Sequence, residues 1–465
     1  MEQSAFGVIG LGVMGASLSL NIADKGFSLS VYNRLTPGEE HMVSQLLERK
    51  TDKMHIQGFT DLEAFIDSLQ RPRKLLIMIK AGKALDQVIN IVLPSLSEGD
   101  IIIDGGNSHY SDTKRRCQNL LEHKIHFLGC GVSGGEEGAL KGPSLMVGGN
   151  AEAYQQISEI FESIAGKDKH DKPCCAYVSK DGSGHFVKMV HNGIEYAEMQ
   201  LLAELYALLR NHYSNDKIAE IFKAWNATDL GSYLLEITTD ILTKKEGEDY
   251  LLDKILDKAG NKGTGSWSSK AALDFGSVNS MMASSVFARY ISSYKAKRVE
   301  LSKYVVREKQ HNTSSIKDLE NAYRFARIIN HYQGFDLIKK GAQENDWDID
   351  CSEIARIWTN GCIIRSHFME ASTHYLKADK TYLDHEVFIN LLQESEGQIK
   401  VLLKNALDSN VSVNTFYNAY DYWLSLSTAN LPANLIQAQR DYFGAHTYQK
   451  IGSSEDQYFH TNWIE

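Results

Sequence analysis

Proline is scarce, six in 465 residues, so little in the chain forbids helix and long uninterrupted elements are expected. Cysteine is equally sparse. Cys117, Cys130, Cys174, Cys175, Cys351 and Cys362 show no Cys-x-x-Cys spacing, which argues against a disulfide frame or a zinc site and for free, mostly buried thiols. Basic charge is in deficit. A net charge of -10 argues against a nucleic-acid surface but leaves room for a local basic pocket that takes a phosphorylated metabolite. Long apolar runs are also missing at the start. Met1-Glu2-Gln3-Ser4 carries no basic stretch, and the run from Phe6 to Leu11 meets glycine too soon for a signal peptide or a membrane span. The expectation is a cytoplasmic protein that engages neither membrane nor nucleic acid, with two or three domains by length.

What is present is an alternation of short apolar runs and helical stretches over the first third. Phe6 to Ile9, Ser28 to Tyr32, Leu75 to Ile79, Ile101 to Ile103 and His126 to Leu128 read as strands, each ending in turn-forming or polar residues. Such alternation predicts a parallel sheet with helices on both faces. From about Asp181 the pattern changes to long amphipathic helices, among them Glu198 to Asn211, Asp216 to Ala224 and Ile316 to Lys340. The helical pattern runs to about Thr428 and breaks at Leu431-Pro432-Ala433. Beyond it, Tyr442, Phe443, Tyr448, Tyr458, Phe459 and Trp463 make the tail too aromatic for a disordered end. The predicted order is an α/β nucleotide-binding domain of Rossmann type over residues 1–180, an all-α domain over 181–430 and a C-terminal tail over 431–465.

The first strand leads into Gly10-Leu11-Gly12-Val13-Met14-Gly15 and then an apolar helix from Ala16 to Ala23. This is the strand-turn-helix setting in which GxGxxG binds a dinucleotide: Gly10 for the tight turn, Gly12 for approach to the pyrophosphate, Gly15 for helix packing. Where an NAD enzyme places an acidic residue, the second strand ends in Val31-Tyr32-Asn33-Arg34. Arg34 would pair with a ribose 2'-phosphate that a carboxylate would repel, so NADP is favoured over NAD. Two further loops, Lys80-Ala81-Gly82 and Asp104-Gly105-Gly106-Asn107-Ser108, follow predicted strands at the carboxyl edge of the sheet, where Lys80 and Asn107 would face the cofactor. Asp104 suits a structural turn. Another strand leads into the glycine-rich run Gly131 to Gly138, whose amides and Ser133 hydroxyl could hold a carboxylate or hydroxyls.

The chemistry concentrates in Lys188-Met189-Val190-His191-Asn192-Gly193-Ile194-Glu195-Tyr196. On a helix, Lys188, His191, Asn192, Glu195 and Tyr196 share one face, while Met189, Val190 and Ile194 line the other. Lys188 and Glu195 then stand two turns apart, roughly 10 Å, so a small substrate could lie between a base and an acid. The plain alternative is the solvated face of an amphipathic helix.

Eight ordered blocks together resemble the 6-phosphogluconate dehydrogenase family, the decarboxylating enzymes of the pentose phosphate pathway. They are GLGVMG (10–15), IIDGGNS (102–108), GVSGGEEGA (131–139), KMVHNGIEY (188–196), KGTG (262–265), FAR (287–289), CIIRS (362–366) and LPANLIQAQRDYFGAHTY (431–448). The resemblance implies NADP-dependent oxidative decarboxylation of 6-phosphogluconate to ribulose 5-phosphate, with no metal, Lys188 as general base and Glu195 as general acid. It implies cofactor contacts from the residue 10–15 turn, Asn33, Arg34, Leu35, Ile79, Lys80, Ala81 and Asn107. Asn107, Ser133, Gly134, Gly135, His191 and Asn192 are implied for the sugar-acid end of the substrate, and Tyr196, Lys262 and Arg289 for its phosphate. Arg440 and His446 are implied to reach the phosphate in the neighbouring subunit of a homodimer that exchanges tails.

Some positions depart from the family pattern. Leu35 replaces a threonine that usually follows Asn-Arg, and Thr36 comes next, which removes one expected hydroxyl contact to the 2'-phosphate. Ser266 and Thr359 stand where a lysine and an arginine are common. Asp346-Trp347-Asp348-Ile349-Asp350 imitates the start of a calcium loop, but Cys351 replaces the required glycine and Ile357 the bidentate glutamate. Two other readings keep the nucleotide fold: a different β-hydroxyacid dehydrogenase, and a catalytically idle nucleotide-binding protein. The cationic residues Lys262, Arg289, Arg440 and His446 speak against the first, and intact Lys188 and Glu195 against the second.

Overall fold

A computed structural model describes residues 3–260, 263–307 and 314–464. Its first half is an eight-stranded sheet: β1 (Phe6–Ile9), β2 (Leu29–Tyr32), β3 (Ile56–Phe59), β4 (Lys74–Ile77), β5 (Ile101–Asp104), β6 (His126–Ser133), β7 (Ser144–Gly149) and β8 (Cys175–Ser179). The strand order is β3-β2-β1-β4-β5-β6-β7-β8. Pairing is parallel throughout except between β6 and β7. Alternate side chains divide between two cores, as a sheet covered on both faces requires. Phe6, Val8, Leu76, Ile101 and Ile103 join one, and Ile9, Leu75, Ile77 and Ile102 join the other. Each fully buried aliphatic of this size contributes about 1.5–3 kcal/mol.

Three strands differ from expectation. β3 reads Ile-Gln-Gly-Phe, two apolar residues around a glycine at a sheet edge, too weak a pattern to register. β7 and β8 give no clear strand pattern, because β7 ends in two glycines and β8 in a serine. The sheet is therefore mixed where a purely parallel one was expected, because the link through the helix Gly135–Lys141 returns β7 antiparallel to β6. β6 also runs on to Ser133, so Gly131 and Ser133 belong to a strand, and Gly135–Lys141 is a helix rather than loop.

A 27-residue helix, Ser183–Leu209, leaves the last strand and joins the two halves. It is buried on nearly every side, and one core runs from Met146, Ala176 and Val178 of the sheet through this helix into the helical half. The solvated-face alternative is thereby excluded. Against it lies the 30-residue helix Ile316–Asn345, opened by a capping box between Ser315 and Asp318. Arg327 of that helix pairs with buried Glu198 at 3.2 Å, and Asn330 donates to the Ile194 carbonyl at 3.1 Å. Among the described residues the second half also holds a short hairpin of Lys245–Glu246 with Asp249–Tyr250, whose charged strands give no apolar signal. Asp350 of the calcium-like run caps the helix Cys351–Ile357, donating nothing and accepting from the Ser352 amide at 2.8 Å.

The break at Leu431-Pro432 is real, but Pro432 then stands at the N-cap of a new helix, Ala433–Gly444. The rest of the tail folds around the Asp441 carboxylate, which accepts from the Thr447 and Thr461 amides, the Trp463 indole and His460. No described helix is long and apolar enough to cross a membrane.

Glu204, near the end of the bridging helix, accepts from the Thr415 and Phe416 amides at 3.0 and 3.2 Å, at the start of the helix Asn414–Leu426. Burial, only partly offset by these amides, pushes its carboxyl up to about 7. A folded-state value above the unfolded one means stability is greatest below the unfolded value and falls as pH rises toward 7. Glu204→Gln removes that dependence. Thermal unfolding should show the variant gaining about 2–4 °C on the parent between pH 5 and pH 8; parallel curves would mean that Glu204 does not titrate there.

Candidate active site

The site forms where the bridging helix crosses the carboxyl end of β6. A Cβ on Gly131 would lie 2.4 Å from the Lys188 Cβ, and one on Gly184 would lie 2.5 Å from the carbonyls of Gly129 and Met146. Only bare backbone on both sides permits this approach, and it sets the polar face of the helix directly over the strand. His191 follows one turn after Lys188. Its Nε2 lies 3.2 Å from the Ser133 hydroxyl and its Nδ1 3.2 Å from the Lys188 amine, while the Trp358 ring packs edge-on against it.

Burial governs the charges of this face. Lys188 and His191 are 7% and 0% exposed. Desolvation draws the Lys188 ammonium below its usual range against the opposing pull of Glu195. Desolvation, with the adjacent Lys188, holds His191 far below its own, so the ring is neutral. Its Nδ1 then accepts from Lys188, and Nε2–H donates to Ser133. The Glu195 carboxylate lies 3.7 Å from His191 Nδ1. Burial raises its pKa, although Lys188 and Arg289 pull the other way. A lysine shifted toward its free amine and a carboxyl shifted toward its acid form thus share one helix face.

Asn107 and Ser108, from the loop after β5, line one small cavity with His185, Lys188, Met189, Asn192 and Trp267. That loop is held from beneath: Asp104 accepts from the Gly106 amide and the Ser108 hydroxyl, and buried Arg116 joins Asp104, Asp86 and the Gly82 carbonyl. Asp104 has the turn role expected of it. Sequence patterning missed Arg116, His185, Trp267 and Trp358, which stand in unremarkable helical or loop contexts and gain meaning only by contact.

At the other end, the Arg289 guanidinium stacks 3.5 Å from the Tyr196 ring and donates to the Gly260 carbonyl at 3.0 Å. Gly265, just past the KGTG lysine, packs on the same ring. Lys262 lies outside the described residues. Gly134 and Gly135 adopt positive φ, 125° and 64°, at the start of their helix. Arg440 and His446 are not brought to this cluster. Arg440 donates to Gln437, and exposed His446 packs against Phe443.

The nucleotide turn lies at the same sheet edge. Gly10 has φ 95°, and a side chain there would meet the Met78 carbonyl at 2.7 Å, whereas a Cβ on Gly12 would meet nothing within 4 Å. The Leu11 amide donates to Asn33 Oδ1 at 3.0 Å, tying the turn to the end of β2. Val13 and Leu35 are exposed, Met14, Ile79 and Ala81 are half-buried, and Lys80 is exposed. Arg34 and Thr36 close around the carboxylate of Glu39. The open glycine and this grouping of donors around an oxyanion fit a phosphorylated dinucleotide.

Residues 5–179 match the family model described as the NAD binding domain of 6-phosphogluconate dehydrogenase, and residues 184–463 match its C-terminal domain. The chain belongs to the 6-phosphogluconate dehydrogenase family. It is 45% identical over 475 residues to a 6-phosphogluconate dehydrogenase, decarboxylating, of Lactococcus lactis subsp. lactis, covering 100% of this chain and 99% of the relative. It is 44% identical over 481 residues, 100% of both chains, to the NADP(+)-dependent, decarboxylating 6-phosphogluconate dehydrogenase of Bacillus subtilis. A solved structure of the Plasmodium falciparum 6-phosphogluconate dehydrogenase, studied in its apo form, with its cofactor NADP+ and with its substrate 6-phosphogluconate, superimposes with a TM-score of 0.92 at 38% identity, covering 99% and 100% of the two chains. The Rossmann-type and helical architecture agrees with that family.

Gly131→Ala tests the close approach. The new methyl must push Lys188 aside, so kcat should fall on the order of tenfold to a hundredfold while cofactor affinity, measured by fluorescence titration, stays within about twofold. Unchanged kcat would show that the strand and helix contact does not position the lysine.

Proposed function

We propose that the bridging helix carries out the family reaction, with Lys188 as general base and Glu195 as general acid. The enzyme is an NADP-dependent oxidoreductase that converts 6-phosphogluconate to ribulose 5-phosphate, carbon dioxide and NADPH. The observation that carries the assignment of roles is geometric: buried Lys188 and half-buried Glu195 flank His191 on one helix face, at 3.2 and 3.7 Å from its Nδ1, where desolvation shifts the lysine down and the glutamate up.

NADP+, when bound, accepts the hydride from the alcohol carbon. Lys188 takes the hydroxyl proton as that hydride leaves, and His191 is the weaker base beside it because burial and the adjacent Lys188 depress its basicity. The ammonium so formed lies beside the new carbonyl of a β-keto acid. When the carbon–carbon bond to the carboxylate breaks, its electron pair passes to an enolate whose oxygen the ammonium stabilises. Glu195, held toward its acid form, then protonates the carbon that lost carbon dioxide. Asn107, Ser133, Gly134, Gly135 and Asn192 hold the sugar-acid end in this reading, and Tyr196, Lys262 and Arg289 the phosphate. Residues of the 10–15 turn with Asn33, Arg34, Leu35, Ile79, Lys80, Ala81 and Asn107 hold the cofactor.

Addition of 6-phosphogluconate and NADP+ should yield NADPH and carbon dioxide in equal amounts, and Lys188→Ala should lower kcat by about 10³-fold or more while NADPH binding stays nearly intact. A variant with substantial residual turnover would remove Lys188 as base.

The tail supports a homodimer with exchanged tails. Leu435, Ile436 and Phe443 are 61%, 60% and 72% exposed on a helix folded around its own hub, apolar surface that a partner would cover. Arg440 and His446 would then complete the partner's phosphate site. We also assign the enzyme to the cytoplasm. Coexpression provides the check: Lys188→Ala and His446→Ala should each be nearly inactive alone, yet mixed dimers would hold one intact site, giving about a quarter of parental activity for random pairing. Absence of recovery in isolated mixed dimers would rule out tail exchange.

A further inference from the structure

The segment after β2 folds back on itself. Glu39 returns through a turn closed by its amide on the Thr36 carbonyl at 2.9 Å, with Gly38 at φ 88°. Its carboxylate thereby collects four donors from three residues. Arg34 gives Nε at 3.1 Å and Nη2 at 3.4 Å, Thr36 gives its hydroxyl at 3.1 Å, and Asn33 gives its amide at 3.4 Å. Asn33 and Arg34 are residues that the cofactor reading above assigns to NADP, with Arg34 on the ribose 2'-phosphate. Thr36 supplies a hydroxyl one position beyond Leu35, the site where the family threonine is missing.

Two anions cannot share these donors. The chain's own carboxylate is singly charged and tethered by a short turn, whereas a 2'-phosphate brings a charge of about -2 at neutral pH. Arg34 and Glu39 side chains keep 68% and 38% of their exposure, so water and salt weaken their pair and a ligand can displace it. Even displaced, Glu39 stays close enough to repel the incoming phosphate. NAD brings a neutral hydroxyl to the same place and incurs no such repulsion.

We propose that Glu39 is a specificity-determining residue that occupies the 2'-phosphate seat as an internal competitor and lowers the preference for NADP over NAD. The inference rests on Arg34 forming that seat.

The ligands for the test are 2',5'-ADP, which carries the 2'-phosphate, and 5'-AMP, which lacks it, titrated calorimetrically into the full-length enzyme. Glu39→Gln keeps the side-chain size and removes the charge. It should tighten 2',5'-ADP by about three- to tenfold, an effect of the size expected for an exposed, partly screened charge, and leave 5'-AMP within about twofold. The ratio of kcat/KM for NADP to that for NAD should rise by a similar factor, and the gain should shrink at high salt. Equal changes for the two nucleotides, or none, would overturn the role of Glu39. Arg34→Gln separates the two ideas: it should weaken 2',5'-ADP far more than 5'-AMP. If it weakens both alike, the seat itself is misplaced and the inference falls with it. If Arg34→Gln discriminates and Glu39→Gln does not, the seat stands and the competitor is rejected.

Discussion

The bridging helix can lie on the sheet only because side chains are missing on both surfaces. Between Gly184 on the helix and Gly129, Gly131 and Met146 on the strands, backbone meets backbone, and a single added methyl at Gly131 would collide with Lys188. This contact does three things together. It joins the nucleotide half to the helical half through one rigid element, it buries a polar helix face that would otherwise be solvated, and it delivers Lys188 and His191 to the carboxyl end of β6 beside Ser133. The chemistry of the site depends on all three.

Burial then decides the protonation states. Ion-pair attraction between Lys188 and Glu195 favours the charged forms, yet desolvation is the larger influence on both groups and moves each toward neutrality. The result is a row of groups able to exchange protons with a substrate, the lysine displaced toward its amine and the glutamate toward its acid. Positive charge is left to the far end, where Arg289 stacks on Tyr196 and stays partly open to solvent. That division suits a substrate whose reacting end loses carbon dioxide and whose other end keeps a phosphate.

Legibility in the sequence followed the strength of local pattern. The GLGVMG turn, β1, β2, β4 and β5, and the long helices carry regular periodicity and were readable. β3, β7 and β8 were not, because glycine, serine and glutamine interrupt them and their burial comes from neighbours rather than from their own composition. The glycine-rich run after Gly131 has the composition of a loop, since glycine more often marks turns than the close crossing of a helix over a strand. The tail's aromatic content signalled order, but nothing local announced that buried Asp441 would be its hub.

Within the candidate site the same rule holds. Residue type and spacing were enough to put Lys188, His191, Asn192, Glu195 and Tyr196 on one helix face, and the ordered motifs were enough to indicate the family, because both are properties of neighbours along the chain. Whether that face met water or a sheet, which ring nitrogen of His191 faces the lysine, how Arg116 clamps the loops after β4 and β5, and that Glu39 reaches the donors of Arg34 were decided only by tertiary structure. Each depends on groups far apart in sequence, or on a backbone reversal, and on desolvation, which is a property of the packed surroundings and not of any residue by itself.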